Sequence, residues 1–174
     1  LCYEKQNNPN AIISRYALVN DEEEKNKIKV INVSVDKAKI GKITQLLDEK
    51  RVGTITPISM SIPNIAPLEK NENTLIVNLE DVTTVTTLIG QKVYNVSTLQ
   101  VGAGQILEKI SSKVNSYAKA YEICKNTTIY TMEGQGLQQQ ENGYLNYIVP
   151  NLFTIASQVK DIIGASLIKI NKVY

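Results

Sequence analysis

The chain has 174 residues, 43% of them hydrophobic, which is enough for a sizeable buried core in one domain or two small ones. Its formal net charge is +2, with no lysine or arginine stripe interleaved with aromatics, so the composition argues against nucleic acid as a partner. There is no histidine, which removes the commonest general base and metal ligand and every Ser/His or Cys/His nucleophile pair.

Through Asn26 the sequence is polar, with one strand expected over Ile12–Val19 and a solvated acidic loop at 21–24. Residues 27–35 then carry Ile28, Val30, Ile31, Val33 and Val35, a β-branched run typical of a strand. Asp36 offers an N-cap, and Ala38, Ile40, Ile43, Leu46 and Leu47 follow at helical spacing as far as Arg51, where Gly53 ends the helix. Residues 54–62 return to β-type composition, while Pro57, Pro63 and Pro67 mark a connection and not a central strand. These pieces predict a strand, helix, strand unit covering one side of a small sheet.

The charged, polar stretch 70–73 is the best internal boundary, dividing the chain into residues 1–69 and 70–174. Beyond it a buried strand is expected at 75–79 and a second at 82–89, where Thr83, Thr84, Thr86 and Thr87 supply β-branched stiffness without hydrophobicity. Gly90 and Gln91 suit a tight two-residue hairpin that returns as a third strand over 93–99. Gly102 and Gly104 flank Ala103 at the start of a helix. Ile106, Ile110, Val114, Tyr117 and Tyr121 recur every three or four residues along it and predict one long helix with one buried face.

Residues 127–142 lack periodicity and read as a loop or a reduced extra subdomain. From Tyr144, the residues Leu145, Ile148, Leu152, Ile155, Val159 and Ile162 are helical in spacing, and Pro150 is expected to kink or restart that helix. Tyr117, Tyr121, Tyr144 and Tyr147 read as core or interface residues and not as a stacking platform. The terminal LIKINKVY reads as a strand in progress.

Cys2 and Cys124 are far apart in sequence and form no CxxC pair, and Cys124 falls on the apolar side of a helix, where a free thiol acts as a small hydrophobe. No apolar run reaches the roughly 18 residues of a membrane helix, and Leu1 opens neither with methionine nor as a signal peptide, so the chain reads as a soluble fragment. Asn32, Asn95 and Asn126 each open an Asn-x-Ser/Thr sequon, read as chance matches in an asparagine-rich sequence.

The run TLIVNLED, VTTVTTLIGQKVYNVSTL, QVGAG and then a helix ending YEICK resembles the second phosphate motif of the actin-like ATPases. It is most similar to the PilM family of type IV pilus assembly and the cell-division FtsA family, from about Ile28 to Tyr174. The resemblance implies an α/β, actin-like (ribonuclease H-like) fold: a mixed sheet flanked by helices, with a small strand-helix-strand inserted subdomain. On that reading residues 1–69 are the inserted subdomain and its connection, and residues 70–174 are part of the second actin-like subdomain.

Family members carry Asp-x-Gly followed by threonines at the phosphate turn. Here Asn78, Leu79, Glu80 and Asp81 precede Thr83 and Thr84. Asparagine cannot supply the carboxylate charge, and Glu80 at the glycine position places a negative side chain beside an anion, so Asp81 compensates only if the turn shifts. Gly102 and Gly104 match the glycine pair that opens the family's helix, and they also suit a turn needing positive φ or close helix packing. Glu122 and Lys125 match the family's Glu-x-x-Lys near ribose and adenine, and equally suit a solvated pair on a helix face. No catalytic or metal-ligating residue is assigned.

The function implied is a non-catalytic cytoplasmic scaffold of pilus assembly, peripheral to the inner membrane. It would bind the cytoplasmic N-terminal peptide of an inner-membrane partner in a groove around residues 30–58. A homo-oligomer is compatible with it; nucleic acid and membrane insertion are not expected. ATP is implied for a complete cleft and none for residues 1–174 alone. The alternatives are a polymerising FtsA-like ATPase, the cytoplasmic domain of a type II secretion protein, and a secreted glycosylated domain.

Overall fold

Alternating branched apolar and polar residues build the first pair of elements in the computed structural model, which describes residues 12–19, 29–47, 52–64, 68–127 and 143–174. Cys2, the acidic loop at 21–24, the helix end expected at Arg51, Pro67 and the loop beyond Thr127 lie outside the described residues. The chain divides into two units, Leu1–Ser61 and Ile62–Tyr174.

In the first unit, β1 (Ile12–Val19) pairs antiparallel with β2 (Lys29–Asp36), with Ile13 opposite Val35 and Arg15 opposite Val33. Along β2 burial alternates residue by residue, so Ile31, Val33 and Val35 share the better-covered face. On the other face the Ser14 and Ser34 hydroxyls meet at 2.8 Å. Asp36 caps α1 (Lys37–Leu46): its carboxylate accepts from the Ala38 N–H at 2.7 Å, satisfying one of the helix's orphan donors.

The strand expected within residues 54–62 is not formed, and the described part of this unit runs strand, strand, helix. Residues 52–57 are irregular and lead into α2 (Ile58–Ser61), which continues as a 3-10 turn at Ile62–Asn64. Pro57 explains the difference. Its ring fixes a helix-compatible φ at the start of the turn. Its carbonyl accepts from the Met60 N–H at 3.0 Å and the Ser61 hydroxyl at 3.3 Å, so hydrogen bonding there is local.

The second unit is a four-stranded mixed sheet ordered β5-β4-β3-β6, with β3 (Asn73–Asn78), β4 (Thr84–Ile89), β5 (Lys92–Thr98) and β6 (Lys172–Val173). The first three form an antiparallel meander, and β6 pairs parallel with β3. Gly90 turns the β4–β5 hairpin with φ of +58°, while Gln91 does not share that region, the pattern of a turn with glycine first. A side chain at Gly90 would also meet the Lys70 carbonyl at 2.5 Å. Asn73 ties down the return of the chain: its N–H donates to Asn171 Oδ1 at 2.9 Å and its side-chain amide to the Lys169 carbonyl at 3.0 Å. Parallel pairing extends past β6, since the Tyr174 N–H donates to the Leu75 carbonyl at 2.9 Å.

Helix α5 (Leu145–Gly164) packs on this sheet, and α3 (Ala103–Val114) and α4 (Tyr117–Asn126) pack with each other and with α5. Leu75, Val85 and Leu99 pack with Ile155 of α5, and Ile106, Leu107 and Ile110 of α3 pack with Ala120 and Ile148. Leu152 belongs to both clusters and joins them.

One long helix was the expectation for 103–125, and the structure divides it. Asn115 adopts the left-handed conformation (φ 49°, ψ 32°) that ends α3, and the Ser116 hydroxyl accepts from the Lys119 N–H at 3.3 Å to begin α4. The break resets the helical phase. Tyr117 and Tyr121 are therefore 56% and 54% exposed, while Ala120, Ile123 and Cys124 face the core. Pro150 neither breaks nor restarts α5, which runs through it. The carbonyl that loses its bond to Pro150 belongs to Asn146, and both residues are on the exposed side of the helix.

Candidate functional site

Two places in the molecule gather residues that could serve a ligand. The first lies at the end of β3, where the turn toward β4 meets the start of α3. Glu80 and Asp81 form the exposed part of the turn, and Thr83 is fully buried on its far side. The Leu99 N–H donates to the Thr83 carbonyl at 2.9 Å, fastening the turn to the end of β5. Asn78 and Thr84 are cross-strand partners. The Asn78 amide nitrogen and the Thr83 and Thr84 hydroxyls are enclosed and have no hydrogen-bond partner.

The turn also closes onto α3. The Ala103 N–H, first of that helix, donates to the Glu80 carbonyl at 2.8 Å. A Cβ on Gly102 would fall on the Asp81 carbonyl oxygen and lie 2.8 Å from the Glu80 carbonyl oxygen. A Cβ on Gly104 would lie 3.0 Å from the Asp81 carbonyl oxygen. Gly102 itself is extended, with φ of −154°, so close packing against residues 80 and 81, and not a positive φ, accounts for its lack of a side chain.

Asn78, Glu80, Asp81, Thr83, Thr84, Gly102 and Gly104 are thus brought to one end of the second unit. Glu122 and Lys125 sit three residues apart on α4 and line different clefts. Lys125 lines a cleft of about 400 Å³ with Ala103, Ile106, Tyr121 and Ile148, whereas Glu122 lines a different one with Lys119, Asn126 and Tyr144. Cys124, in the Lys125 cleft, has a free thiol whose pKa burial raises above its ordinary 9.0.

The first N–H of α3 is taken by the Glu80 carbonyl, the backbone of residues 80 and 81 lies against the two glycines, and the Thr83 hydroxyl is enclosed. Among the described residues no three of His, Cys, Asp and Glu converge to hold a metal ion, and no helix is long and apolar enough to cross a membrane.

The second place is a groove of about 620 Å³ inside the first unit. Ile13, Arg15, Val33 and Val35 form its floor from one face of the β1–β2 sheet, Ile40 and Thr44 of α1 form one wall, and residues 52–57 with Met60 form the other. Its lining is largely apolar. Arg15 is the charged side chain among the described lining residues, and its guanidinium donates to the Ser14 carbonyl at 3.1 Å. The Thr44 hydroxyl is turned inward onto the Gly41 carbonyl at 2.9 Å, so it offers the groove little polarity. Ile13, Arg15 and Met60 fall outside the span 30–58 inferred from sequence. The available signal was the pairing of β1 with β2, which a polar N-terminal segment obscured.

No protein-family model matches the sequence, and no curated protein matches it. Among solved structures the chain is similar to one described as a PilM-PilN type IV pilus biogenesis complex, at 15% sequence identity and a TM-score of 0.65. The alignment covers 91% of this chain and 46% of that one, so the chain spans about half the neighbour's length. The likeness is one of fold: a mixed sheet with flanking helices in a PilM-like arrangement.

Proposed function

We propose that this chain is part of a non-catalytic scaffold of pilus assembly, and that the groove of its first unit holds a short peptide from an inner-membrane partner. The observation that carries the reading is the groove itself. A two-stranded sheet, one helix and an irregular segment enclose an apolar space, yet no described residue of this unit is buried. A two-stranded sheet is marginal alone, and apolar residues left half covered gain when a partner covers them. The PilM-like fold supports the choice of partner class, because the neighbouring structure is a complex of two pilus proteins. On this reading the unit around β1, β2 and α1 corresponds to the inserted subdomain, the second unit to part of an actin-like subdomain, and the protein works at the cytoplasmic face of the inner membrane.

The occupant fits as an extended, apolar segment laid against the sheet face, with an acidic residue near Arg15. Calorimetric titration with the cytoplasmic N-terminal peptide of a PilN-like partner tests this. Saturable binding, roughly micromolar as for short docking peptides, is expected, and Val33→Asp should abolish it. Absence of binding, or binding indifferent to Val33→Asp, would overturn the reading.

A further inference from the structure

We propose that the outward side of α1 rests on a membrane surface rich in anionic lipid. The helix carries Lys37, Lys39 and Lys42 and no acidic residue from Lys37 to Leu46, in a chain whose formal net charge is only +2. Beyond Leu47, the run Asp48, Glu49, Lys50 and Arg51 cancels in charge. Lys39, Lys42, Ile43 and Leu46 recur at helical spacing and share one side of α1, while Ile40 and Thr44 line the groove. All four of the former are exposed, Leu46 at 84% and Ile43 at 43%.

The lysines are placed against what the helix itself favours. Cations stabilise a helix at its C-terminus and not at its N-terminus, yet Lys37 and Lys39 stand in the first turn and the last turn has no basic residue. The carboxylate at that end, Asp36, accepts from the Ala38 N–H at 2.7 Å. Helix stability therefore does not account for the arrangement, and an external anionic surface does. A leucine so exposed beside two lysines suits an interface helix: the apolar side chain enters among the acyl chains, and the lysine stems carry their charges to the headgroup phosphates. A protein partner draws its affinity from aromatic or arginine anchors, and this side of α1 has neither. The inference goes beyond the peptide groove, which uses a different side of the helix, and needs no occupant there.

The test is co-sedimentation of the full chain with vesicles of phosphatidylcholine alone, or mixed in equal parts with phosphatidylglycerol. Binding is expected to the mixed vesicles only, weakening as salt is raised. Each lysine at an anionic surface contributes about fivefold in partitioning, so Lys39→Gln with Lys42→Gln should lose roughly twentyfold. Leu46→Ser should lose about tenfold. The chain has no tryptophan, so Leu46→Trp adds a single indole whose emission should shift to the blue on the mixed vesicles. Equal binding to both vesicle types, binding to neither, indifference to these substitutions, or an unshifted indole would overturn the proposal. So would binding to soluble polyglutamate as tight as to vesicles and indifferent to Leu46→Ser, which is the result an acidic protein partner gives.

Discussion

The two units use the same kinds of residue to opposite ends. Every buried hydrophobic residue among those described lies in the second unit, from Leu75 to Ile155, whereas the first unit leaves Val30, Ile43, Leu46, Leu47, Ile55 and Ile58 at 40% exposure or more. In the second unit the sheet has helices to cover it, and Leu152 ties both clusters into one core. In the first, α1 cannot cover a two-stranded sheet by itself, and the uncovered remainder is the groove. Among the described residues the buried core therefore lies in the second unit and the half-covered sheet face in the first.

The sharpest way to break that contrast is a pair of truncations read by urea unfolding. Ile110→Ala removes a fully buried side chain from the second unit and should cost about 2–5 kcal/mol. Ile40→Ala, from the half-buried wall of the groove, should cost less than about 1 kcal/mol while weakening peptide binding. Equal costs would mean that the first unit has a core of its own.

Next in size is Gly102→Ala, which forces a methyl group against the Asp81 carbonyl and should destabilise the second unit by about 1–3 kcal/mol. A smaller effect, about 1 kcal/mol, is expected for Ser116→Ala, which removes the cap of α4. This variant discriminates well, because in a single continuous helix alanine would stabilise.

The smallest effect concerns pH. Burial holds the Cys124 pKa above 9.0, so on raising the pH the unfolded chain ionises first. The stabilisation is complete below pH 9.0 and is lost as the pH rises through the higher native value. Cys124→Ala should flatten that alkaline decline in denaturation profiles.

Local chemistry was legible in the sequence wherever one residue sufficed to set the backbone. Asp36 announces its helix, Gly90 and Gln91 their hairpin, and the apolar spacing of α5 its length despite Pro150. The mixed sheet was expected from the family resemblance and not from any one residue. The break at Asn115 and Ser116 was not, because an apolar period that continues in sequence can change phase at a single left-handed residue. At 54–62, β-branched composition outweighed Pro57, although the proline decided the conformation. The residues around the turn at 78–84 could be gathered by pattern, since they flank consecutive elements. The closure of that turn could not, because it depends on a distance of a few ångströms between the backbone at 80–81 and two glycines twenty residues on.

The measurement that bears most directly on the central claim is amide hydrogen exchange of the chain with and without the partner's N-terminal peptide. The account predicts that protection appears in β1, β2 and the segment from Val52 to Met60 while α3, α4 and α5 are unchanged. Protection confined instead to the cleft between α3, α4 and α5, or none under saturating peptide, would contradict it.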